Sequence, residues 1–284
     1  MIFMKKFLVC ALLTFFSTYA FSTIECGFKF KKNELQNYRY VIVPGILNEF
    51  VSYYMTEHRR FLMQLGVPKE QIHRVNLESF MMPDEAALVL EKAVAELPKD
   101  KAFVFLSHSK GALETLYFLQ KKHSTINLKN ALLIQGPLDG ASITKLPDEK
   151  GFLGFLNFMV KRLVSTGFVS AYDKSYSSEH VREKLKGLES QIKLLNKIVF
   201  VESGTSYENL KWRFKPLGGQ YKEYFGRAGD GILLEKDHIP YSLKDNKTIC
   251  RKSYDIDHSG LVKAAPWNSL KVEKIKNFLE RVFF

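Results

Sequence analysis

Apolar positions along this chain fall into two alternating patterns. Short β-branched and aromatic runs, stopped by glycine, proline or polar turns, read as buried strands, and longer stretches with apolar residues three and four apart read as helices. Tyr38 to Val43 is the first such strand and ends abruptly at Pro44-Gly45. A helix is expected from Phe50 to Leu65, closed by Gly66 and Pro68, and a short strand from His73 to Leu77. Asp84 is placed to cap a helix from Glu85 to Leu97 that Pro98 ends. Ala102 to Leu106 reads as a strand and Gly111 to Lys121 as a helix, so Ser107 to Gly111 becomes a strand-to-helix turn. Ala131 to Gln135 and Lys197 to Glu202 complete the strand series. Strands alternating with helices imply an α/β fold with a mostly parallel central sheet and helices on both faces.

Two segments stand outside this rhythm. Met1 to Ser22 has Lys5 and Lys6, then the apolar run Phe7 to Phe16, then small residues. That order reads as a secretory signal peptide cut after Ala20 or Ser22, because the apolar run falls short of the roughly 20 residues a membrane span needs. A retained N-terminal anchor is the alternative. The reading leaves residues 23–284 as one domain and places the protein outside the cytosol, secreted or periplasmic. The second segment is an insertion at about residues 138–195, in which Gly151 to Val169 carries Phe152, Phe155, Leu156, Met159, Leu163 and Val164 at helical spacing. It reads either as a core-packing helix or as a helical cap over a site.

Composition changes this picture little. With 46% hydrophobic and 25% charged residues the chain is an ordinary globular one, not a disordered or collagen-like one. The formal charge of +12 falls to +10 without Lys5 and Lys6, which favours anionic surfaces such as membrane lipid headgroups. The cations are scattered, with no long basic run or nucleic-acid motif, so specific nucleic-acid binding is not expected. Cys10 lies in the leader; the remaining pair, Cys26 and Cys250, is an even count that permits a disulfide in an exported protein, with two buried thiols as the alternative. Metal-ligand spacings are missing, loop aspartates leave only a structural calcium ion open, and no cofactor is implied. Oligomeric state has no signature.

Chemistry concentrates in Ser107-His108-Ser109-Lys110-Gly111. A serine hydroxyl is a weak nucleophile, and a tight strand-to-helix turn can lift it clear of a sheet and set it beside backbone N–H groups that receive developing negative charge. Such a serine needs a histidine base, and the histidine needs a carboxylate. Downstream, Gly229-Asp230-Gly231 fits a loop for the acid, and Asp255-Ile256-Asp257-His258-Ser259-Gly260 a loop for the histidine. Glu202, Asp237, Asp255 and Asp257 are competing acids. His108 leaves the turn beside the serine and does not naturally face it, and His58, His73, His123, His180 and His238 read as surface or structural residues.

Together with Val43-Pro44-Gly45-Ile46, these segments resemble, in order, those of secreted lipases of the α/β-hydrolase superfamily, over Tyr38 to Val262. The resemblance implies Ser109 as nucleophile, Asp230 as acid and His258 as general base, with the backbone N–H groups of Ile46 and Lys110 forming an oxyanion hole. Many such lipases have His-Gly where this chain has Pro44-Gly45, glycine where it has Ser107, and a second glycine where it has Ala112. The implied activity is hydrolysis of carboxylic esters; the apolar Gly151 to Val169 segment points to acyl-chain substrates, and the basic charge to peripheral contact with anionic membrane. Acyl transfer, or thioester or amide cleavage, would use the same triad, and a non-catalytic secreted binding protein would keep only the fold.

Overall fold

The computed structural model describes residues 26–46, 48–49, 53–146 and 174–284. The expected leader and the Gly151 to Val169 helix lie outside the described residues. Six strands form one sheet: β1 (Tyr38–Val43), β2 (Ile72–Arg74), β3 (Ala102–His108), β4 (Leu128–Ile134), β5 (Ile198–Gly204) and β6 (Cys250–Asp255), in spatial order β2-β1-β3-β4-β5-β6. Every neighbouring pair is parallel. A parallel sheet needs crossovers, and these are supplied by α1 (Thr56–Gln64), α2 (Pro83–Ala95), α3 (Lys110–Lys122), the short α4 (Ser178–Lys184) and α5 (Ile192–Leu195), and α6 (Lys215–Phe225), with α7 (Ser269–Phe283) closing the chain.

Side chains of a strand alternate between faces, and here both faces are buried. Val41, Val43, Phe103, Phe105, Ala131, Leu133, Ile198 and Phe200 pack on one side with Leu90 of α2, Leu116 of α3 and Tyr221 of α6. Tyr40, Ile42, Val104, Leu106, Leu132, Ile134, Val199 and Val201 pack on the other with Phe61 and Leu62 of α1 and Ile275, Phe278, Leu279 and Val282 of α7. Burial on two faces explains why the central strands are continuous apolar runs in the sequence.

Several boundaries differ from expectation for physical reasons. Helix α2 begins at Pro83, whose fixed φ and missing N–H suit a first helical turn; Met82 precedes it, and Asp84 lies inside the turn rather than capping it. Strand β3 runs two residues past Leu106, because Ser107 and His108 still pair with Leu133 and Ile134. Strand β6 is an edge strand of polar composition with half-exposed residues, so no hydrophobic pattern announces it. Helix α7, also unanticipated, has a readable signal in Ile275, Phe278, Leu279 and Val282, which recur at helical spacing and are buried.

The first and last described segments meet on one side. The N–H groups of Phe28 and Phe30 donate to Val282 and Phe283 carbonyls at 2.6 and 2.7 Å. Cys26 and Cys250 form a disulfide, Cα–Cα 5.3 Å, that ties the N-terminal segment to β6.

Candidate active site

After β1 the chain turns to β2 on one side, whereas β3 returns on the other, so the loops following β1 and β3 part at their carboxyl ends and leave a crevice. Ser109 stands there, between β3 and α3, with φ +54° and ψ −129°. A β-carbon-bearing residue at such a φ is strained by about 1–3 kcal/mol, a cost the surrounding hydrogen bonds must offset. The Ser109 N–H donates to Ile134 O at 2.9 Å and its carbonyl accepts from Ala112 N–H at 2.9 Å. The turn also requires Gly111, where a Cβ would lie 2.5 Å from Pro44 O and 2.6 Å from Val43 O. Ser107, in the position where glycine is common, is tolerated because its hydroxyl turns inward to Thr115 Oγ1, 2.8 Å away on α3.

His258 joins this turn from the loop after β6. Its Nε2 is 2.8 Å from Ser109 Oγ and its Nδ1 2.7 Å from Asp230 Oδ2. Asp230 is held by a turn whose flanking glycines have φ +61° and +91°, values that favour glycine. Its other oxygen, Oδ1, accepts from the N–H groups of Ile232 and Leu233 at 2.9 and 2.8 Å, while Ser203 Oγ donates to Oδ2 at 3.2 Å. Complete burial acts to raise the pKa of Asp230, yet His258, with help from His238 and the Leu233 N–H, holds it down to about 2, so the carboxylate stays ionised. Of the competing acids, Asp257 pairs with Lys211, Asp237 accepts from the Ser142 and Leu234 N–H groups and the Ser142 hydroxyl, and Glu202 is half-buried on β5. It is Asp230 that meets the imidazole.

Behind these three residues runs a second layer that the sequence did not announce. His108 Nε2 is 2.9 Å from His258 O and 3.1 Å from Gln135 Oε1, and its Nδ1 is 2.7 Å from Tyr54 Oη, which accepts the Gly45 N–H at 3.1 Å. A carbonyl oxygen can only accept, so the His108 proton sits on Nε2; Nδ1 is then bare and Tyr54 donates to it. Burial, reinforced by His258, pushes the His108 pKa well down and keeps the ring neutral. Gln135 Nε2 in turn donates to Asp257 O at 3.2 Å and to Ser203 Oγ. The loop after β1 is thereby coupled to the loop that carries His258. His238, wholly buried, lies 3.5 Å from Asp230 Oδ2.

Backbone N–H groups also lie close to Ser109 in the chain. Lys110 is the first residue of α3, where N–H groups lack intrahelical acceptors and the helix dipole favours negative charge. On the β1 loop, which the expected donor Ile46 shares, the Gly45 N–H is committed to Tyr54. The Lys110 side chain is buried and forms an ion pair with Glu114, one turn along; burial pushes the Glu114 carboxyl up to about 7 against the pull of the lysine. Among the described residues, no cluster of three or more His, Cys, Asp or Glu side chains has the arrangement of a metal site.

No family model matches the sequence, and no curated protein matches it. Solved structures do. A metagenomic carboxyl esterase is similar at 19% identity and TM-score 0.57, over 87% of this chain and 73% of that one. A Bacillus licheniformis lipase in its mature form is similar at 14% identity and TM-score 0.53, over 86% of this chain and 92% of that one. Legionella pneumophila phospholipase is similar at 13% identity and TM-score 0.52, over 71% of this chain and 45% of that one. With its parallel sheet, doubly covered, and a strained serine turn at the switch point, the chain has the α/β-hydrolase fold.

Proposed function

We propose that this protein is a serine hydrolase of carboxylic esters, and that its substrates carry acyl chains. One observation carries the reading: Ser109 Oγ, His258 and Asp230 form an unbroken hydrogen-bonded chain, with 2.8 and 2.7 Å links, at the carboxyl end of the sheet. In the reaction Ser109 Oγ attacks the ester carbonyl carbon while its proton passes to His258 Nε2. Asp230 fixes the ring with its proton on Nδ1 and stabilises the imidazolium that forms. The oxygen that becomes negative is received by the N–H groups of Ile46 and Lys110. His258 then gives its proton to the departing alkoxide as the C–O bond breaks, leaving an acyl group on Ser109. Water, deprotonated by the same histidine, releases the acid.

The acyl-chain preference is supported by the apolar stretch Gly151 to Val169, whose composition suits a cap over an acyl site, and by neighbours in fold named as a lipase and a phospholipase. Export is supported by the leader-like Met1 to Ser22 and by the Cys26–Cys250 disulfide, since such bonds persist outside the cytosol.

A fluorophosphonate probe that labels activated serines tests the core of this reading. Wild type is expected to be labelled and to hydrolyse short-chain p-nitrophenyl esters; Ser109→Ala should show neither. Labelling that survives in the variant removes Ser109 as nucleophile. A chain-length series with and without a lipid interface then tests the substrate class, and indifference to both would limit the protein to a general esterase.

A further inference from the structure

Trp212, Trp267 and Leu270 are 78%, 78% and 84% exposed, the highest values among the large apolar side chains described. All three border one group of cations. Trp212 lies between Lys211 and Arg213 in sequence, and Trp267 and Leu270 lead into Lys271 at the start of α7. Lys211 Nζ and Arg213 Nη2 both reach Ser259 Oγ, at 3.2 and 2.6 Å, immediately beyond His258. Lys263 belongs to the same group: burial pushes its ammonium down, and repulsion from Arg213 and Lys271 adds to that. Its backbone bridges to Tyr54, while neighbouring Tyr53 meets the Trp267 ring edge-on at 5.4 Å. Among the described residues, Asp257 is the one carboxylate ion-paired to these four cations, through Lys211.

We propose that this patch docks the protein on an anionic lipid surface, with Trp212, Trp267 and Leu270 entering the headgroup region and Lys211, Arg213, Lys263 and Lys271 facing lipid phosphates. The chemistry of the patch selects this partner. Indole has an apolar body and a polar N–H, and it settles at the boundary between hydrocarbon and water. Each cation near an anionic leaflet contributes about 1 kcal/mol, which a neutral surface does not return. Because Lys211 and Arg213 both bond Ser259, next to His258, docking would present the site to the lipid. The inference deepens the acyl-ester reading above and rests on it for its purpose, though not for the binding itself.

The test uses the full chain with Ser109→Ala, so that binding is measured without turnover. Trp212 and Trp267 are the chain's only tryptophans, so fluorescence excited selectively at tryptophan rather than at the 13 tyrosines reports on the patch. Vesicles of phosphatidylcholine mixed equally with phosphatidylglycerol should shift the emission to the blue and co-float with the protein; pure phosphatidylcholine vesicles should do neither, and high salt should reverse both effects. A Lys263→Gln, Lys271→Gln pair should weaken binding roughly 30-fold, the equivalent of about 1 kcal/mol for each lost cation. Leu270→Ala, at a side chain with almost no burial to lose, should weaken it with folding intact. No shift with anionic vesicles, equal binding to both kinds, or a blue shift that appears on self-association without lipid would overturn the proposal. Hydrolysis of a soluble short-chain ester by the wild-type serine is a separate readout. Its failure with vesicle binding intact would sink the hydrolase reading and leave the docking surface standing.

Discussion

At the scale of single residues, the hydrogen-bonded chain Ser109–His258–Asp230 rests on a further set of groups behind it. The Gly45 amide, Tyr54 hydroxyl and His108 imidazole form a relay with one consistent proton arrangement, ending on the His258 carbonyl. Tyr54 is the pivot, accepting from one loop and donating toward the other. Tyr54→Phe removes both bonds without changing the ring, and leaves Gly45 N–H and His108 Nδ1 buried with no partner. We expect a stability loss of about 1–3 kcal/mol, read by urea denaturation. Because the loop bearing Ile46 loses its anchor, kcat should also fall about tenfold, with KM for a soluble ester nearly constant. Unchanged kcat at reduced stability would make the relay purely structural. None of this was legible locally: Tyr54 and His108 are far apart in sequence, and a tyrosine on an aromatic stretch reads as core. By contrast the meeting of Ser109, Asp230 and His258 was implied by the order of the segments that resemble secreted lipases, although the residues alone left Glu202, Asp237, Asp255 and Asp257 as competing acids.

Elements explain how such widely separated residues are brought together. The turn at Ser109 is pinned between two strands, since β1 lies beside β3 and α3 begins almost on top of the Val43 and Pro44 carbonyls. That approach is possible only because residue 111 has no side chain. In Gly111→Ala the new methyl would fall 2.5–2.6 Å from two backbone oxygens, neither of which can turn away as a flexible side chain would. Moving α3 outward is the relief available. We expect a destabilisation of about 1–3 kcal/mol, and a fall in activity larger than that change alone would cause, because Ser109 moves with the helix. Thermal melting beside fluorophosphonate labelling distinguishes the two effects; a variant that is stable and fully labelled would show that the close approach is not needed. The sequence made β1, β3, β4 and β5 readable, since strands buried on both faces are unbroken apolar runs. It hid β6, whose residues need satisfy only one neighbour and solvent. Helix α7 differs, since Ile275, Phe278, Leu279 and Val282 give it a periodic pattern in the sequence itself.

Across the whole molecule, β6 presents a problem that the chain solves covalently. An edge strand with polar, half-exposed residues contributes little apolar burial, yet the loop that follows it carries His258. Besides its pairing with β5, the strand is held by the first and last described segments: Cys26 is bonded to Cys250 at the start of β6, and Tyr254 meets Phe278 of α7 edge-on at 5.3 Å. The disulfide closes a loop of sequence separation 224, so restricting the unfolded chain is its main expected effect, of about 2–5 kcal/mol. A Cys26→Ala, Cys250→Ala double variant should therefore melt at a markedly lower temperature than wild type, and treatment of wild type with dithiothreitol should reproduce most of that loss. If β6 frays once the tie is cut, hydrogen exchange will rise first at Arg251 to Asp255, and turnover at temperatures below the melt will fall with it because His258 is no longer held against Ser109. Exchange that rises uniformly, with turnover preserved until global unfolding, would instead assign the disulfide to overall stability and leave the placement of His258 to the buried contacts of Gln135 and His108.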